Sequence, residues 1–174
     1  MNPALQFIFS RRSVRKYQNQ EVPDAILTDL LEAGMAAPSA VARDPWHFIV
    51  VRKRETLNRM TAVMPHAQML KQATAAFVVC GDINRAHDQK ESYLLQDVSA
   101  AVENILLAAT ALELGSCWLG IHPRQERMVG IRELFNLPSA IIPVCGIALG
   151  WPAEQLPART RYNHEHVHAE TWQG

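Results

Sequence analysis

Three guanidinium groups and a hydroxyl lie close together near the N-terminus, at Arg11, Arg12, Ser13 and Arg15. Phosphate oxygens accept paired hydrogen bonds from arginine and short ones from hydroxyls, so the cluster suits a small phosphate-bearing ligand. A solvated basic turn is the alternative for the same residues. We expect no nucleic-acid partner, because 17 basic residues balance 17 acidic ones and no aromatic stripe is interleaved with the cluster.

A second pattern could bind a metal but is better explained without one. Residues 164–168 read His-Glu-His-Val-His and match the H-E-x-x-H pattern of zinc proteases. That pattern works on a well-formed helix with a third ligand, and the six residues after His168 leave no room for a catalytic domain. We expect His164, His166 and His168 to be surface residues and predict no metal site.

The cysteines and the N-terminus bear on the compartment. Cys80, Cys117 and Cys145 are odd in number and far apart, and each lies in an apolar run, which favours reduced, buried thiols. The N-terminal residues 1–10 lack the basic start and the cleavage site of a signal peptide. The longest uncharged apolar stretches fall short of a bilayer span. We expect a cytoplasmic protein without a membrane partner.

Hydrophobic periodicity predicts the elements that must position these residues. Residues 3–10 form a short amphipathic start, and residues 23–37 carry apolar side chains at the spacing of one helix face. Residues 46–51, 77–80 and 141–149 are apolar runs with β-forming residues, which predicts buried strands. The predicted order is helix, helix, strand, helices, strand, long helix, strand, helix, strand and tail.

The long helix is predicted over residues 92–114, with Gly115 as its C-terminal stop. Apolar residues occur on nearly every side of it, and no Lys or Arg appears in residues 92–123. A helix of this kind must be covered all round. It is either a central core helix or, as we favour, a core helix whose remaining face packs on a second subunit.

The whole chain, residues 1–174, is predicted to be a single domain, because it contains no repeat, low-complexity segment or internal linker. Its composition changes after Trp151, where prolines and histidines replace aliphatic residues. We expect residues 152–174 to form an arm that wraps over the domain or over a partner subunit.

Several segments resemble the nitroreductase family, in the family's order and along almost the whole chain. Residues 11–15 resemble its R-R-S-x-R opening, and residues 37–48 resemble its A-P-S-x-x-N-x-Q-P-W segment. Residues 115–120 resemble the G-x-x-x-W-x-G turn after its long helix. Gly150-Trp151-Pro152 resembles its G-[YW]-P strand end, and Arg159-Thr160-Arg161 resembles its closing basic pair.

The resemblance implies an α+β fold with a central mixed or antiparallel sheet flanked by helices, and a homodimer with FMN sites at the subunit interface. Arg11 and Ser13 would hold the phosphate, Arg12 would add main-chain or side-chain contacts, and Arg159 and Arg161 would return to the phosphate. Arg15 would approach the N1/C2-carbonyl edge of the flavin. Pro38, Ser39 and Ala40 would come from the partner subunit and line the ring, and the turn formed by Trp118, Leu119 and Gly120 would offer it backbone groups.

The implied reaction is a two-step electron transfer in which no side chain need act as acid or base. NAD(P)H reduces the flavin by hydride transfer to N5, and a nitroaromatic, a quinone or another small conjugated compound then takes the electrons. Two alternatives are a flavin-binding protein without turnover and a specialised member that fragments flavin or removes halogen.

The sequence departs from the family pattern in places that leave the acceptor open. Ala42 stands where the family often has Asn, and Asp44 where it often has Gln. The hydrogen bonds of those amides are therefore missing or replaced, for instance through Arg43. Leu119 occupies a position that is Glu in some members.

Overall fold

The computed structural model describes residues 2–172, and the predicted order of elements is confirmed. The helices are α1 (Gln6–Ser10), α2 (Asp24–Met35), α3 (Arg54–Val63), α4 (Glu91–Ala111) and α5 (Gln125–Phe135). The strands are β1 (Trp46–Val51), β2 (Ala75–Asp82), β3 (Gly115–Gly120) and β4 (Ile141–Gly150). Short 3-10 turns occur at Pro3–Leu5, Ala40–Ala42, Gln68–Lys71, His87–Gln89 and His164–His166.

The four strands form one antiparallel sheet in the order β1-β2-β4-β3, which confirms the predicted α+β class. Phe77, Val79 and Ile147 join the core on the side of α2 and α4. Val78, Cys80 and Ala148 join the core on the side of α3 and α5. Because both faces are covered, the central strands are almost continuously apolar rather than alternating.

Pro143 weakens the sequence pattern of a strand, yet it lies within β4. Cys80 pairs with Pro143 while Val79 pairs with Cys145, so Val144 is an extra residue opposite β2. The backbone N–H of His122 donates to the carbonyl of Val144 over 3.0 Å. A proline is tolerated in a central strand at such a bulge, where the regular ladder is already interrupted.

Helix α4 is the central core element that its composition predicts. Eight of its 21 residues are buried against the sheet and α2. Its length and hydropathy would by themselves allow a membrane span, but here its apolar face lies inside the protein. Its outward stripe contains Gln96, Ser99 and Glu103, so the helix is less apolar on that side than we expected.

The predicted stop of this helix at Gly115 is wrong. The helix ends at Ala111, and Glu113 adopts the left-handed conformation with φ of 61°. The N–H of Leu114 donates to the carbonyl of Ala109 over 2.8 Å, which is the closing bond of a Schellman motif. Gly115 instead begins β3, where a Cβ would lie 2.7 Å from Val14 Cγ1.

The N-terminal segment and the start of the C-terminal arm run along the outer edge of the sheet. The N–H of Val14 donates to the carbonyl of Ser116 in β3 over 2.9 Å. Tyr17 forms an isolated bridge with Pro152, and the N–H of Ala153 donates to the carbonyl of Lys16 over 2.9 Å. Residues 11–17 are therefore held between β3 and the arm.

Candidate cofactor site

The predicted phosphate ligands line one cavity of about 470 Å³, although 146 positions separate Ser13 from Arg159. The N–H of Arg159 donates to the carbonyl of Phe9 over 3.0 Å, and the guanidinium of Arg12 donates to the carbonyl of Pro157. These bonds fix the arm beside the N-terminal segment. The cavity, which we call the arginine cavity, is lined by Ile8, Phe9, Arg11, Arg12, Ser13, Arg159, Thr160 and Arg161.

The arginine cavity has an excess of positive charge. The guanidinium of Arg161 and, to a smaller extent, that of Arg12 lower the pKa of Arg159 below its ordinary value, because like charges repel. Arg11 has a carboxylate partner in Glu103 of α4, with 3.3 Å between Nε and Oε1. Several arginines and only one neighbouring carboxylate leave a net positive charge. Their guanidiniums can donate the hydrogen bonds that a phosphate monoester accepts.

A second cavity, of about 460 Å³, continues from the first towards Arg15. Its acidic lining residue is Glu154, whose Oε1 accepts from the backbone N–H groups of Arg15 (2.7 Å) and Lys16 (3.2 Å). This carboxylate is committed to the backbone and fixes the course of the segment. The guanidinium of Arg15 donates to the carbonyl of Ser13 over 3.2 Å.

A third cavity, of about 190 Å³, lies on the other side of Arg15 and reaches the end of β3. Trp118, Leu119 and Gly120 line it together with Cys117. These residues do not form the expected turn: they are the last residues of β3, paired with β4. The N-terminal segment covers the outer edge of β3 at Ser116, so only the last residues of this edge strand can offer backbone groups to a ligand, as a turn would.

The three cavities therefore form a row, which we call the cavity row. The first and second share Arg12, Ser13, Arg159 and Arg161, and the second and third share Arg15. One end of the row is cationic, and the other is bounded by a strand edge and by apolar side chains together with His66 and Arg127. A ligand with an anionic tail and a flat polar head matches this order.

The thiol in this row is not a nucleophile. Cys117 is buried, and burial raises the pKa of its thiol, although Arg15 and Ser13 act in the opposite direction. The thiol is therefore protonated at neutral pH, and only the thiolate attacks electrophiles or ligates metals. The prediction of buried, reduced cysteines is confirmed for Cys80, Cys117 and Cys145.

Pro38, Ser39 and Ala40 are not brought to the cavity row: within this chain none of them lines it. The N–H of Ala40 donates to Oδ1 of Asp97 over 2.9 Å, and Asp97 is buried on α4. Oδ2 of Asp97 has no hydrogen-bond partner within residues 2–172. An acid on the apolar stripe of α4 was a sequence signal for this anchor that our sequence reasoning missed.

Asp44, one of the departures from the family pattern, is bonded within its own loop. The hydroxyl of Ser39 donates to Asp44 Oδ1 over 2.5 Å, and the N–H of Asp44 donates back to Ser39 Oγ over 2.9 Å. Val41, Ala42 and Asp44 all have φ near 50°. Such values are rare for residues other than glycine, and they mark this loop as held in a strained shape.

Further residues of the third cavity could not be found from sequence spacing. Met64, His66 and Met69 come from the connection after α3, and Arg127 comes from α5. The guanidinium of Arg127 donates to the carbonyl of Gly120 over 2.6 Å, so that carbonyl is already occupied. These residues meet only through packing on the sheet.

Residues 164–168, which match the zinc-protease pattern, do not form the helix that this pattern needs. His164–His166 is a single 3-10 turn, and the ring of His168 stacks on Trp172 with centroids 4.2 Å apart. Within residues 2–172 no cluster of three His, Cys, Asp or Glu side chains could hold a metal ion.

The chain is similar in sequence and structure to known oxidoreductases. A sequence model of the nitroreductase family matches residues 8–79 and 61–151. A Methanothermobacter thermautotrophicus protein, provisionally named NADH dehydrogenase/NAD(P)H nitroreductase, is 44% identical over 97% of this chain and 87% of its own. A crystal structure of a similarly named protein from Bacteroides thetaiotaomicron superposes with a TM-score of 0.92, at 40% identity over 99% of both chains.

One solved relative contains a cofactor. A provisionally named nitroreductase from Desulfovibrio desulfuricans was crystallised in complex with FMN. The superposition of the two structures covers 99% of each chain, with a TM-score of 0.84 and 31% sequence identity.

Proposed function

The chain belongs to the nitroreductase family, and we propose that it works as a homodimeric, FMN-dependent NAD(P)H oxidoreductase that reduces a small conjugated acceptor such as a nitroaromatic or a quinone. The observation that carries this proposal is the cavity row, which leads from four arginines past Arg15 to the edge of β3. FMN has the matching shape, with one terminal phosphate and one planar head.

The arginine cavity binds the FMN phosphate. Arg11, Arg12, Arg159 and Arg161 supply guanidiniums, and Ser13 supplies a hydroxyl. Arg11 gives up or shares its ion pair with Glu103 when the phosphate binds, at small cost because an exposed ion pair contributes only about 0–1 kcal/mol. The cavity offers no second nucleotide-binding motif, so FMN is favoured over FAD.

The residues beyond the phosphate orient and shield the planar head. Arg15 would hold the N1/C2-carbonyl edge with its positive charge, and the end of β3 would supply backbone groups and apolar cover. When bound, FMN supplies the redox chemistry by taking electrons from a nicotinamide and passing them to the acceptor. The protein binds the cofactor, excludes water and tunes the reduction potential of the flavin. The thiol of Cys117 stays protonated and takes no part in the reaction.

Pro38, Ser39 and Ala40 line the ring in the partner's site. Within one subunit Ala40 is anchored to Asp97 on α4, and none of the three residues lines the cavity row, which supports a role at the flavin of the partner subunit. Homodimerisation completes the site in this proposal. The strained loop between Ser39 and Asp44 holds these small residues at the surface, where a flat ring can approach backbone closely.

Absorbance of the purified protein, followed by chromatography of the released chromophore, tests cofactor binding. We expect a yellow protein that releases FMN and oxidises NAD(P)H in the presence of menadione or a nitrofuran. A yellow protein without turnover would support the alternative of a non-catalytic flavin binder. A colourless protein that fails to take up added FMN would contradict the proposal.

A further inference from the structure

A separate polar cavity of about 570 Å³ lies between the loop after Ala40–Ala42 and the loop after β2. Its lining is Ala42, Arg43 and residues 84–89, and it shares no residue with the cavity row. We call it the Arg43–Arg85 cavity. Nothing in the proposed handling of FMN uses it.

Among residues 2–172, the two arginines in this cavity have no ion-pair partner. A guanidinium nitrogen of Arg85 donates to the backbone carbonyl of Arg43 over 3.3 Å, which ties the two loops together. Within residues 2–172, neither guanidinium lies within 4.0 Å of a carboxylate. Two arginines from different parts of the chain therefore line the cavity, and neither has a carboxylate partner there.

The cavity's carboxylate does not cancel this charge. Asp88 Oδ2 lies 3.7 Å from both His87 Nε2 and Lys90 Nζ, so it faces two basic groups of its own loop. The nearby Asp44 accepts the hydroxyl hydrogen bond of Ser39. Asp82 accepts the N–H of Asn84 through Oδ1 over 2.9 Å. Two arginines against one aspartate give the lining a net positive charge, which favours an anion.

Both walls of the cavity have unusual backbone. Ala42 on one wall has φ of 53°, and Asp88 and Gln89 on the other both have φ of 52°. Left-handed conformations at three residues that are not glycine are held against their local preference. Such conformations concentrate at ligand sites, where the shape of a loop matters more than its stability.

We propose that Arg43 and Arg85 bind the 2′-phosphate of NADPH, so that the enzyme prefers NADPH to NADH. The inference rests on the proposed function, in which Ser39 and Ala40 line the partner's flavin ring. Arg43 is three residues beyond Ala40, a reach of at most about 11 Å. A dinucleotide whose nicotinamide lies over the partner's flavin ring is longer than the distance from Ala40 to Arg43. Its adenosine end can therefore reach the Arg43–Arg85 cavity.

The chemistry of the group matches the cavity. A phosphate monoester carries close to two negative charges at neutral pH and accepts paired hydrogen bonds from guanidiniums. NADH has a hydroxyl at the same position and would leave both guanidiniums without a charged partner. Each charge-assisted contact is expected to change relative affinity by about tenfold to a hundredfold.

Steady-state kinetics of Arg43→Gln and Arg85→Gln test the proposal. For each variant we expect kcat/KM with NADPH to fall about tenfold to a hundredfold, while kcat/KM with NADH stays within about twofold. Arg59→Gln is the matched control, because Arg59 is an exposed arginine that lines a different surface cavity. It should change neither value.

Binding of 2′,5′-ADP gives a readout that does not depend on turnover. We expect the wild-type protein to bind 2′,5′-ADP more tightly than 5′-AMP, and each variant to lose that difference while retaining its FMN. Equal use of NADH and NADPH by the wild type would overturn the proposal. An equal loss for both dinucleotides would also overturn it, by assigning the arginines to the shared pyrophosphate. Loss of FMN in the wild type would instead contradict the proposed function.

Discussion

At the scale of single residues, the cavity row assigns different tasks to arginines only a few positions apart. Arg11 lines the arginine cavity, whereas Arg15 lies between the second and third cavities. The phosphate charge is the same in oxidised and reduced FMN, but the N1/C2-carbonyl edge gains negative charge on reduction. A guanidinium at that edge should therefore stabilise the reduced form, and one at the phosphate should not.

Arg15→Ala is expected to lower the two-electron midpoint potential with a modest loss of FMN affinity. A charge-assisted hydrogen bond contributes about 1–3 kcal/mol, which corresponds to roughly 20–65 mV for a two-electron couple. Spectroelectrochemistry measures the shift. Arg11→Ala is the matched comparison and should lose FMN while the potential of the bound fraction barely moves. Equal potentials in the wild type and Arg15→Ala would place Arg15 away from the flavin edge.

The cysteine in the cavity row yields a prediction from the direction of its pKa. Because burial raises the pKa of Cys117, the thiol remains protonated below its raised pKa, including at pH 7–8, and reacts slowly with alkylating reagents. Iodoacetamide at pH 7.5 should leave the native protein unmodified and label all three cysteines in urea, as mass spectrometry would show. Cys117→Ser should retain turnover. Rapid labelling of Cys117 in the native protein would indicate a thiolate.

At the scale of elements, the sequence predicts what depends on local pattern. The apolar stripe of α2 and the apolar runs of β1 and β4 predict the first and last residues of these elements to within about two positions. They do so because the spacing of apolar residues reflects burial on the sheet. The end of α4 could not be predicted, because it depends on the left-handed conformation of Glu113, a residue with no intrinsic preference for it. Gly115 was misassigned because its reason lies in tertiary packing against Val14.

The residues of the candidate site also fall into those that the sequence pattern predicts and those that only tertiary packing brings together. The cluster of residues 11–15 is contiguous, and a family motif indicated the return of Arg159 and Arg161 to it. His66 reaches the third cavity from the connection after α3 and Arg127 from helix α5, and nothing in their spacing relates them to Arg15. Asp97 could have been found, since an acid on a buried helical stripe needs a partner.

Gly115→Ala should destabilise the fold and weaken FMN binding together. The new methyl group would meet Val14 Cγ1 at 2.7 Å and the ring of Tyr17 at 3.2 Å, and these residues hold the segment that carries Arg15 against β3. Overpacking of this kind costs about 1–3 kcal/mol. At roughly 2–4 °C per kcal/mol, we expect the melting temperature to fall by several degrees.

Gly120→Ala is the control for stability alone. It lies in the same strand, and a Cβ there has no atom within 4 Å. Its melting temperature should stay close to that of the wild type. If both variants melt at the same temperature, the close approach of Val14 to Gly115 does not constrain the fold.

At the scale of the whole molecule, one subunit leaves several apolar side chains exposed. Leu5, Phe7 and Ile8 at the N-terminal helices are each about two-fifths exposed, and Met35 and Val41 flank the segment that contains Pro38, Ser39 and Ala40. Tyr162, Val167 and Trp172 on the arm are also exposed. The same chain holds Pro38, Ser39 and Ala40, which we propose to line a flavin ring, away from its own cavity row. Both features are expected of a protomer that is completed by a second copy.

We therefore expect a dimer of about 39 kDa by light scattering, twice the 19.5 kDa of one chain. Phe7→Glu should shift the protein towards monomer and reduce its FMN content, because a buried unpaired charge at an interface costs several kcal/mol. Val129→Glu on α5 is the matched control, since Val129 is 42% exposed and Phe7 41%. It should leave mass and flavin unchanged. A wild-type monomer that retains FMN would refute the shared site, because Pro38, Ser39 and Ala40 could then contribute nothing to the bound ring.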